Sequence, residues 1–507
     1  MFRQRGPSPD RREVNYTREH VAIAKTIRRR RRVVRWINRH LGGIRALLFG
    51  IGVVWILALP LEALWRGTYV DEHALQPNQV NTYWDWSNVH RADRYLDELE
   101  QMVNSTQAER SDYLQRAFSA SGHDASNTST STYAHVQPPR SNGLEVILVS
   151  ANWMSRESKP NLRGVAILLA LADFLRGQNY WANDLVLVVG EGYLDGLEGF
   201  MQEYYDRFNG VIWTALNVDY PGHSFEHIGL FYEGLNGRLP NQDVINSVAQ
   251  IARWSGGVTT RMHDIEEQGY IGAARHLLNH AAYSAFGRAS GAHGVLAKHR
   301  IDAITLYCPN ATGPHGFYTL GKTIESTLRS FNNLLERLHA SYFFYLIPRS
   351  GKFIPVGHYL PAAILLGASV TLGGFDCPDP VQGLIWTTPV VAITILGWVV
   401  QSPLVTFLAV AAPKPQGTAR RSFLSLCHLF FGALIPTLAM VNFPQAIALA
   451  FITSGHLAPW RWVRWIMVGL NPALLGSDLR REWETLGNLT WVGIMSVWVP
   501  LGIVAAM

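Results

Sequence analysis

The stretch LEVILVSANWMSRESKPNLRGVAILLALADFLRGQNYWANDLVLVVGEG, residues 144–192, decides the fold. Leu144–Ser150 is a continuous apolar run, the signature of a strand buried on both faces. Leu162–Arg176 then carries Leu and Ala at helical spacing, and Leu185–Gly190 is a second buried strand. The same grammar continues downstream. A helix is expected over Tyr193–Phe208, strands over Val211–Asp219 and Ile228–Tyr232, and helices over Gln242–Trp254 and Tyr270–Phe286. A further strand, Ile301–Leu306, precedes a long helix, Leu320–Leu346. Upstream, residues 90–118 read as one polar helix, and the Ser/Thr/Pro-rich residues 119–143 as an exposed loop. Strand and helix alternate, which predicts an α/β sandwich around a mostly parallel sheet.

The flanks belong to a different solvent. The chain has 507 residues, of which only 16% are charged against roughly a quarter in soluble domains. The deficit is concentrated after residue 355. Leu41–Leu64 (LGGIRALLFGIGVVWILALPLEAL) is long enough to span a bilayer as a helix. Before it, residues 1–40 carry 13 Lys and Arg against three acids, including the run Arg28–Arg32. A basic block alone would suit nucleic acid, but this one leads straight into the apolar stretch, so no nucleic-acid partner is expected. The positive-inside rule puts it in the cytosol. The expected organisation is a basic cytosolic tail (1–40), a first transmembrane helix (41–64), a lumenal α/β domain (65–354) and a polytopic helical bundle (355–507).

Apolar blocks follow at about 355–373, 384–411, 423–441, 443–458, 460–475 and 488–507, giving six or seven membrane helices with the first. The 384–411 block is too long for one straight span, and Gln401-Ser402-Pro403 offers a break. Strict alternation would place Lys414, Arg420 and Arg421 in the lumen, against the positive-inside rule, so a re-entrant or split segment is expected. Of three cysteines only Cys308 falls in the translocated domain, which excludes an internal disulfide there and favours a buried thiol. Sequons at Asn104, Asn127 and Asn310 fit a secretory lumen; Asn15 would be cytosolic, and Asn488 lies against a membrane segment.

Sites in open α/β sheets form at the carboxyl ends of strands. Those ends carry Asn152-Trp153-Met154-Ser155, Glu191-Gly192-Tyr193-Leu194-Asp195-Gly196 and Asn217-Val218-Asp219, with Ser290-Gly291-Ala292-His293-Gly294 before the last strand. The order resembles the di-zinc aminopeptidases. In that family a His-x-Asp follows the first strand, a Glu-Glu pair the second, an Asp ends the third, and a His precedes the last. Here Asn152 and Met154 stand at the first pair, Pro160 and Asn161 where a bridging Asp is expected, and Gly190 at the catalytic Glu. Glu191, Asp219 and His293 match ligand positions. A two-metal hydrolase needs the missing bridge and base. Three ligands can still hold one zinc; the plainer reading is three hydrogen-bonded polar groups in a dead pocket.

The combination resembles the Gaa-type large subunit of glycosylphosphatidylinositol (GPI) transamidase. Gly164–Asp184, Glu233–Asn241 (EGLNGRLPN), Ser290–Leu306 and Leu334–Pro348 carry the likeness. The family motif falls on Glu233, Gly234, Asn236, Gly237, Pro240 and Asn241, which also read as a turn between strand and helix. The resemblance implies a non-catalytic subunit in the endoplasmic reticulum membrane. It would hold GPI lipid and help couple the lipid's amine to precursor proteins after a separate Cys-protease subunit removes their C-terminal signal. It also implies a lipid site in the bundle, with Asn442, Asn471 and above all Pro500 as candidates; a packing kink is the alternative for Pro500. Trp460, Trp462 and Trp465 with Arg461 and Arg464 read as an interfacial belt. The competing readings are a membrane-tethered zinc metallopeptidase, against which Gly190 and Asn152 speak, and a transporter, for which the bundle lacks intramembrane charges.

Overall fold

The computed structural model describes residues 11–68, 82–266, 269–332, 344–470 and 476–507. Eleven strands are described: β1 (Arg66–Gly67), β2 (Asp124–Asn127), β3 (Ser131–Val136), β4 (Glu145–Asn152), β5 (Asp184–Gly190), β6 (Val211–Asp219), β7 (His227–Phe231), β8 (Thr259–Met262), β9 (Asp302–Tyr307), β10 (Tyr345–Arg349) and β11 (Lys352–Pro355). Eight form the main sheet in the order β2-β3-β5-β4-β6-β9-β7-β8. The central β5-β4-β6-β9 run is parallel, while β3 and β7 pair antiparallel to its flanks. The helices of this part are α2 (Trp86–Gln101), α3 (Gln107–Ala120), α4 (Leu162–Leu175), α5 (Asp195–Arg207), α6 (Gln242–Ile251), α7 (Gly269–Ala285), α8 (His293–Lys298) and α9 (Phe317–Asn332). They follow α1 (Arg11–Ala58) in the chain.

The expected sandwich is present. Alternate residues of β4 serve opposite faces, as the two-residue strand period requires. Ile147, Val149 and Ala151 join α4, α6 and α9 in one core, while Val146 and Leu148 join α5 and α8 in the other. Three expectations change. Residues 119–143 are not simply a loop, since they supply β2 and β3, and buried β3 pairs along its whole length with β5. Their hydroxyls bond locally, Thr132 donating to Asn127 Oδ1 at 2.9 Å, and threonine suits a pleated edge. The helix expected over 90–118 is two, because Thr106 and Glu109 form a reciprocal capping box that starts α3 afresh. The helix expected over Leu320–Leu346 ends at Asn332; residues 333–343 lie outside the described residues, and Tyr345 and Leu346 are in β10. The latter pairs with β11, which also pairs with β1, so a small three-stranded sheet ties the exit of α1 to the entry of the next apolar helix.

The second part consists of α10 (Val356–Thr371), α11 (Pro380–Ile385), α12 (Thr388–Val400), α13 (Gly417–Ala439), α14 (Phe443–His456), α15 (Arg461–Gly469), α16 (Gly476–Leu486), α17 (Thr490–Gly493) and α18 (Val499–Ala506). Among the described residues, four segments are long and apolar enough to cross a membrane: Arg39–Ala58, Val356–Gly374, Pro380–Val400 and Gly417–Ala439. The first is the apolar end of α1, which continues unbroken from the basic segment. The helices α1 and α10 run antiparallel. Arg45 Nε donates to Ser369 O and Trp55 Nε1 to His358 O, at 2.9 and 2.7 Å. A glycine lets α10 approach α13, for a Cβ on Gly367 would come within 2.8 Å of Pro436 Cδ.

The 384–411 block breaks where the sequence offered. Gln401 ends α12 in the left-handed region at φ +54°, and Ser402 accepts from Leu404 N to start a 3-10 helix, Pro403–Val410. Trp491 Nε1 donates to Gln401 Oε1 at the end of the bundle nearest the α/β unit. From there the 3-10 helix returns along α18. Two segments of this one apolar block thus lie side by side. The following α13 starts at the end remote from the α/β unit, so Lys414, Arg420 and Arg421 share that end with the basic part of α1.

The other end of α13 meets the α/β unit. The last carbonyls of α7 point at the bundle, where apolar helices offer them nothing. Asn442, the N-cap of α14, donates to Ser284 O at 2.8 Å and Asn236 O at 3.2 Å, while its Oδ1 accepts from Gln445 N. Asn488 donates to Phe286 O at 3.0 Å and to Glu482, and Arg288 pairs with Glu482. Replacing Asn442 by Ala removes a cap and two bonds across this joint. It should lower stability by about 2 kcal/mol and open the segment after Ala285 to limited proteolysis in detergent, with the melting midpoint as the check.

Candidate functional site

The parallel strands β5, β4, β6 and β9 end side by side, and the chain leaves β4 toward β5 on one side and later returns as β6 on the other. This reversal of strand order makes the crevice where α/β folds place ligands. Its walls are the β4–α4 loop, the turn after β5 and the end of β6.

The crevice is filled by the protein's own polar groups. Asn161, at the expected bridging position, is 1% exposed and donates to Asn152 O at 2.9 Å and Val218 O at 3.0 Å, while its Oδ1 accepts from Tyr220 N at 2.7 Å. One neutral amide thereby stitches β4 to β6, which a carboxylate could not do because it has no hydrogens to give. Asn152 donates to Tyr193 O. Gly190 stands where a catalytic Glu is expected, and a Cβ there would lie 2.7 Å from Asn152 Oδ1 and 3.0 Å from Leu197 N. There is no room for a base.

The three matched ligand positions are taken separately. Glu191 forms an ion pair with Arg110, whose guanidinium also lies 4.8 Å from the Trp153 ring centroid. Asp219 is 2% exposed and accepts from Arg156 N at 3.0 Å, while its Oδ1 finds no hydrogen-bond partner among the described residues. Burial pushes its carboxyl up to about 6. Arg156 itself lies with its guanidinium carbon 3.5 Å from the Phe231 centroid, putting a cation in the crevice. His293 is fully buried; Nε2–H donates to Glu233 O at 3.0 Å and Nδ1 lies 2.9 Å from the Thr305 hydroxyl. Burial lowers it to about 4, so it is neutral at ordinary pH. Among the described residues no three His, Cys, Asp or Glu side chains are grouped to hold a metal ion. Glu191, Asp219 and His293, read either as ligands of one residual zinc or as hydrogen-bonded polar groups in a dead pocket, are each engaged by different partners. Two are saturated, and the third faces a cation. The residues present do not fit zinc. Cys308 is buried and burial raises its thiol, as befits a core position.

Sequence reading missed the most concentrated polar cluster. Glu233 opens the family motif, is 0% exposed, and its Oε1 accepts from His263 Nε2 at 2.7 Å and His280 Nδ1 at 2.9 Å. Burial alone would raise this carboxyl, but the two imidazoles hold it well below the usual range. His263 reaches it from the left-handed region, at φ +51°, a strained conformation outside glycine. The signal was available in part, as an acid before a glycine turn and a His at two helical turns' reach on α7, but their meeting depends on β8, which was not foreseen. The rest of the motif builds the joint. Asn236 has φ +61°, accepts from Leu489 N at 2.7 Å and donates to Gly487 O. Gly237 has φ +73°, and a Cβ there would lie 2.2 Å from Asn442 Nδ2. Asn241 caps α6, and Pro240 O accepts from Tyr345.

The lipid-site candidates part company. Asn442 is buried with its amide spent on the joint, so it faces protein rather than lipid. Asn471 lies outside the described residues. Pro500 lines an apolar groove of about 730 Å³ with Thr387, Val391 of α12, Phe430 of α13 and Ser496. It follows a π-helical turn, Ile494–Trp498, where a widened ladder absorbs the lost N–H. Asn104 and Asn310 are exposed, but Asn127 gives its amide to Gln115.

Residues 128–378 match the family described as Gaa1-like, GPI transamidase component. The chain is 28% identical over 386 residues to GPI transamidase component gaa1 of Schizosaccharomyces pombe, a match covering 68% of this chain and 65% of that protein. It is 27% identical over 349 residues to GPI transamidase component GAA1 of Saccharomyces cerevisiae, covering 64% and 55%. The chain thus aligns over less than two-thirds of either relative's length. Among solved structures it is similar to the LapA aminopeptidase of Legionella pneumophila, at 10% identity and TM-score 0.35 over 54% of this chain and 77% of that one.

The orphaned Asp219 carboxyl gives a test. Its folded value of about 6 exceeds the usual 3.8, so the folded state binds more protons across that window. Stability therefore falls as pH rises through it and is flat above. Asp219→Asn, which keeps the bond from Arg156, should be more stable than the parent by roughly 2–3 kcal/mol above about pH 6. The difference should vanish below about pH 4, as read from melting curves across pH.

Proposed function

We propose that this chain is a non-catalytic subunit of GPI transamidase that holds the GPI lipid beside a partner Cys-protease subunit. The observation that carries the reading is the Gaa1-like match over residues 128–378, which takes in both the filled crevice and the joint motif. A subunit of this kind needs no nucleophile or base. A crevice stitched by Asn161, closed at Gly190 and occupied by Arg156 suits that role and counts against a membrane-tethered metallopeptidase. In this proposal the basic end of the bundle is cytosolic, the α/β unit (65–354) lies in the lumen of the endoplasmic reticulum, and residues 355–507 form the membrane bundle. The groove at Pro500 receives the acyl chains of the GPI lipid. It is apolar, it opens between α12 and α13, and Ser496 is among its few polar groups. The lipid's ethanolamine amine then reaches precursor proteins at the lumenal surface, after the partner has removed their C-terminal signal.

The test is purification of the full chain from its own membranes in mild detergent, with mass spectrometry of what accompanies it. A Cys-protease subunit and GPI lipid are expected; recovery of the chain without either overturns the reading. Pro500→Leu should reduce GPI lipid recovery several-fold while leaving the protein subunits in place. Unchanged lipid recovery would remove Pro500 from the site. Glu191→Gln should leave transamidation within about twofold of the parent, because a partly exposed ion pair contributes little; complete loss in a folded variant would make Glu191 a working ligand.

A further inference from the structure

At the end of the bundle remote from the α/β unit lies a cavity of about 270 Å³ whose walls include Lys414, Arg420, Arg461, Arg464, Trp465 and Met507. Three different segments supply the cations: the loop before α13, its first turn, and α15. Like charges do not converge without cost, and here no acid among the described residues forms an ion pair with any of the four. Arg464 is the decisive member. It is only 9% exposed, and its Nε finds no hydrogen-bond partner among the described residues. A buried guanidinium with an open donor lacks the acceptor that normally offsets its desolvation.

The surroundings say which acceptor fits. Trp460, Trp462 and Trp465 are exposed on or beside the same helix, the distribution of side chains that sit at the level of lipid headgroups. A phosphate offers three oxygens to several donors at once, and arginine forks match it in a way that a single carboxylate does not. We infer that this cavity binds a phosphate oxyanion, supplied by the headgroup of an anionic phospholipid in the leaflet opposite the α/β unit or by free phosphate. The site is distinct from the groove at Pro500, and the inference does not rest on the transamidase reading.

The full chain in micelles doped with phosphatidylinositol, phosphatidylserine or phosphatidylcholine tests it, with retained lipid counted by native mass spectrometry. Anionic lipid should be retained at least about tenfold over phosphatidylcholine, several basic side chains acting together. Lys414→Gln and Arg420→Gln, at exposed positions that leave the fold intact, should each reduce retention roughly fivefold, and Arg464→Gln should reduce it further. A second arm measures radiolabelled inorganic phosphate without added lipid. Retained anionic lipid that millimolar phosphate does not displace identifies the headgroup as the source. Phosphate binding without lipid selectivity, lost in the same variants, identifies the soluble ion. Absence of both, or binding that Lys414→Gln and Arg420→Gln leave unchanged, overturns the assignment.

Discussion

The carbonyls that end α7 set the constraint on which the architecture depends. A helix terminus abutting apolar helices must find donors there or lose several hydrogen bonds to an environment without water. Asn442 and Asn488 are those donors, one before α14 and one before α17. Both amides are neutral; Asn442 also caps α14, and Asn488 accepts from Thr490 N at the start of α17. With α7 fixed, the EGLNGRLPN turn is held against Leu489, and the orientation of the α/β unit on the bundle follows. Glu233 sits at the other end of the same turn, clamped by two histidines, one of which comes from α7 itself. The motif is thus a hinge pin between a buried ionic cluster and a membrane-facing amide joint.

The polar groups of the crevice are organised by one another. An amide bridges two strands, a guanidinium lies at the end of the sheet, and a backbone carbonyl takes up a histidine. The pairing is incomplete at Asp219, whose second oxygen finds no partner among the described residues.

Much of the α/β unit was legible because buried parallel strands are apolar without interruption. The runs over β4, β5, β6 and β9 needed only periodicity, and the observed bounds differ from the expected ones by a residue or two. The β2–β3 hairpin was not legible, since serine and threonine there mimic loop composition while their burial comes from pairing with β5, far along the chain. The clasp of β1, β10 and β11 depends on contacts between residues some 290 positions apart, such as Arg66 with Phe353, and local pattern carries no trace of it. In the bundle, the break at Gln401 was readable from Ser402 and Pro403, but the role of Asn442 was not: a polar residue at an apolar boundary looks the same whether it meets lipid or a protein carbonyl. The places of Glu191, Asp219 and His293 at the ends of elements were legible from their order. Their partners were not, since Arg110 and Arg156 belong to no recognisable pattern.

The closure at Gly190 has a bearing on which substitutions the crevice tolerates. A side chain at 190 cannot enter while Asn152 and Leu197 hold their places, and Asn152 cannot leave while its amide anchors the turn at Tyr193. Asn161 in turn ties down the backbone of Asn152. Opening this end of the sheet would require these positions to change together, since each single substitution meets a collision or leaves a buried amide unpaired. The strand ends are in this sense interlocked: the surface is free to drift while the crevice can change only in concert.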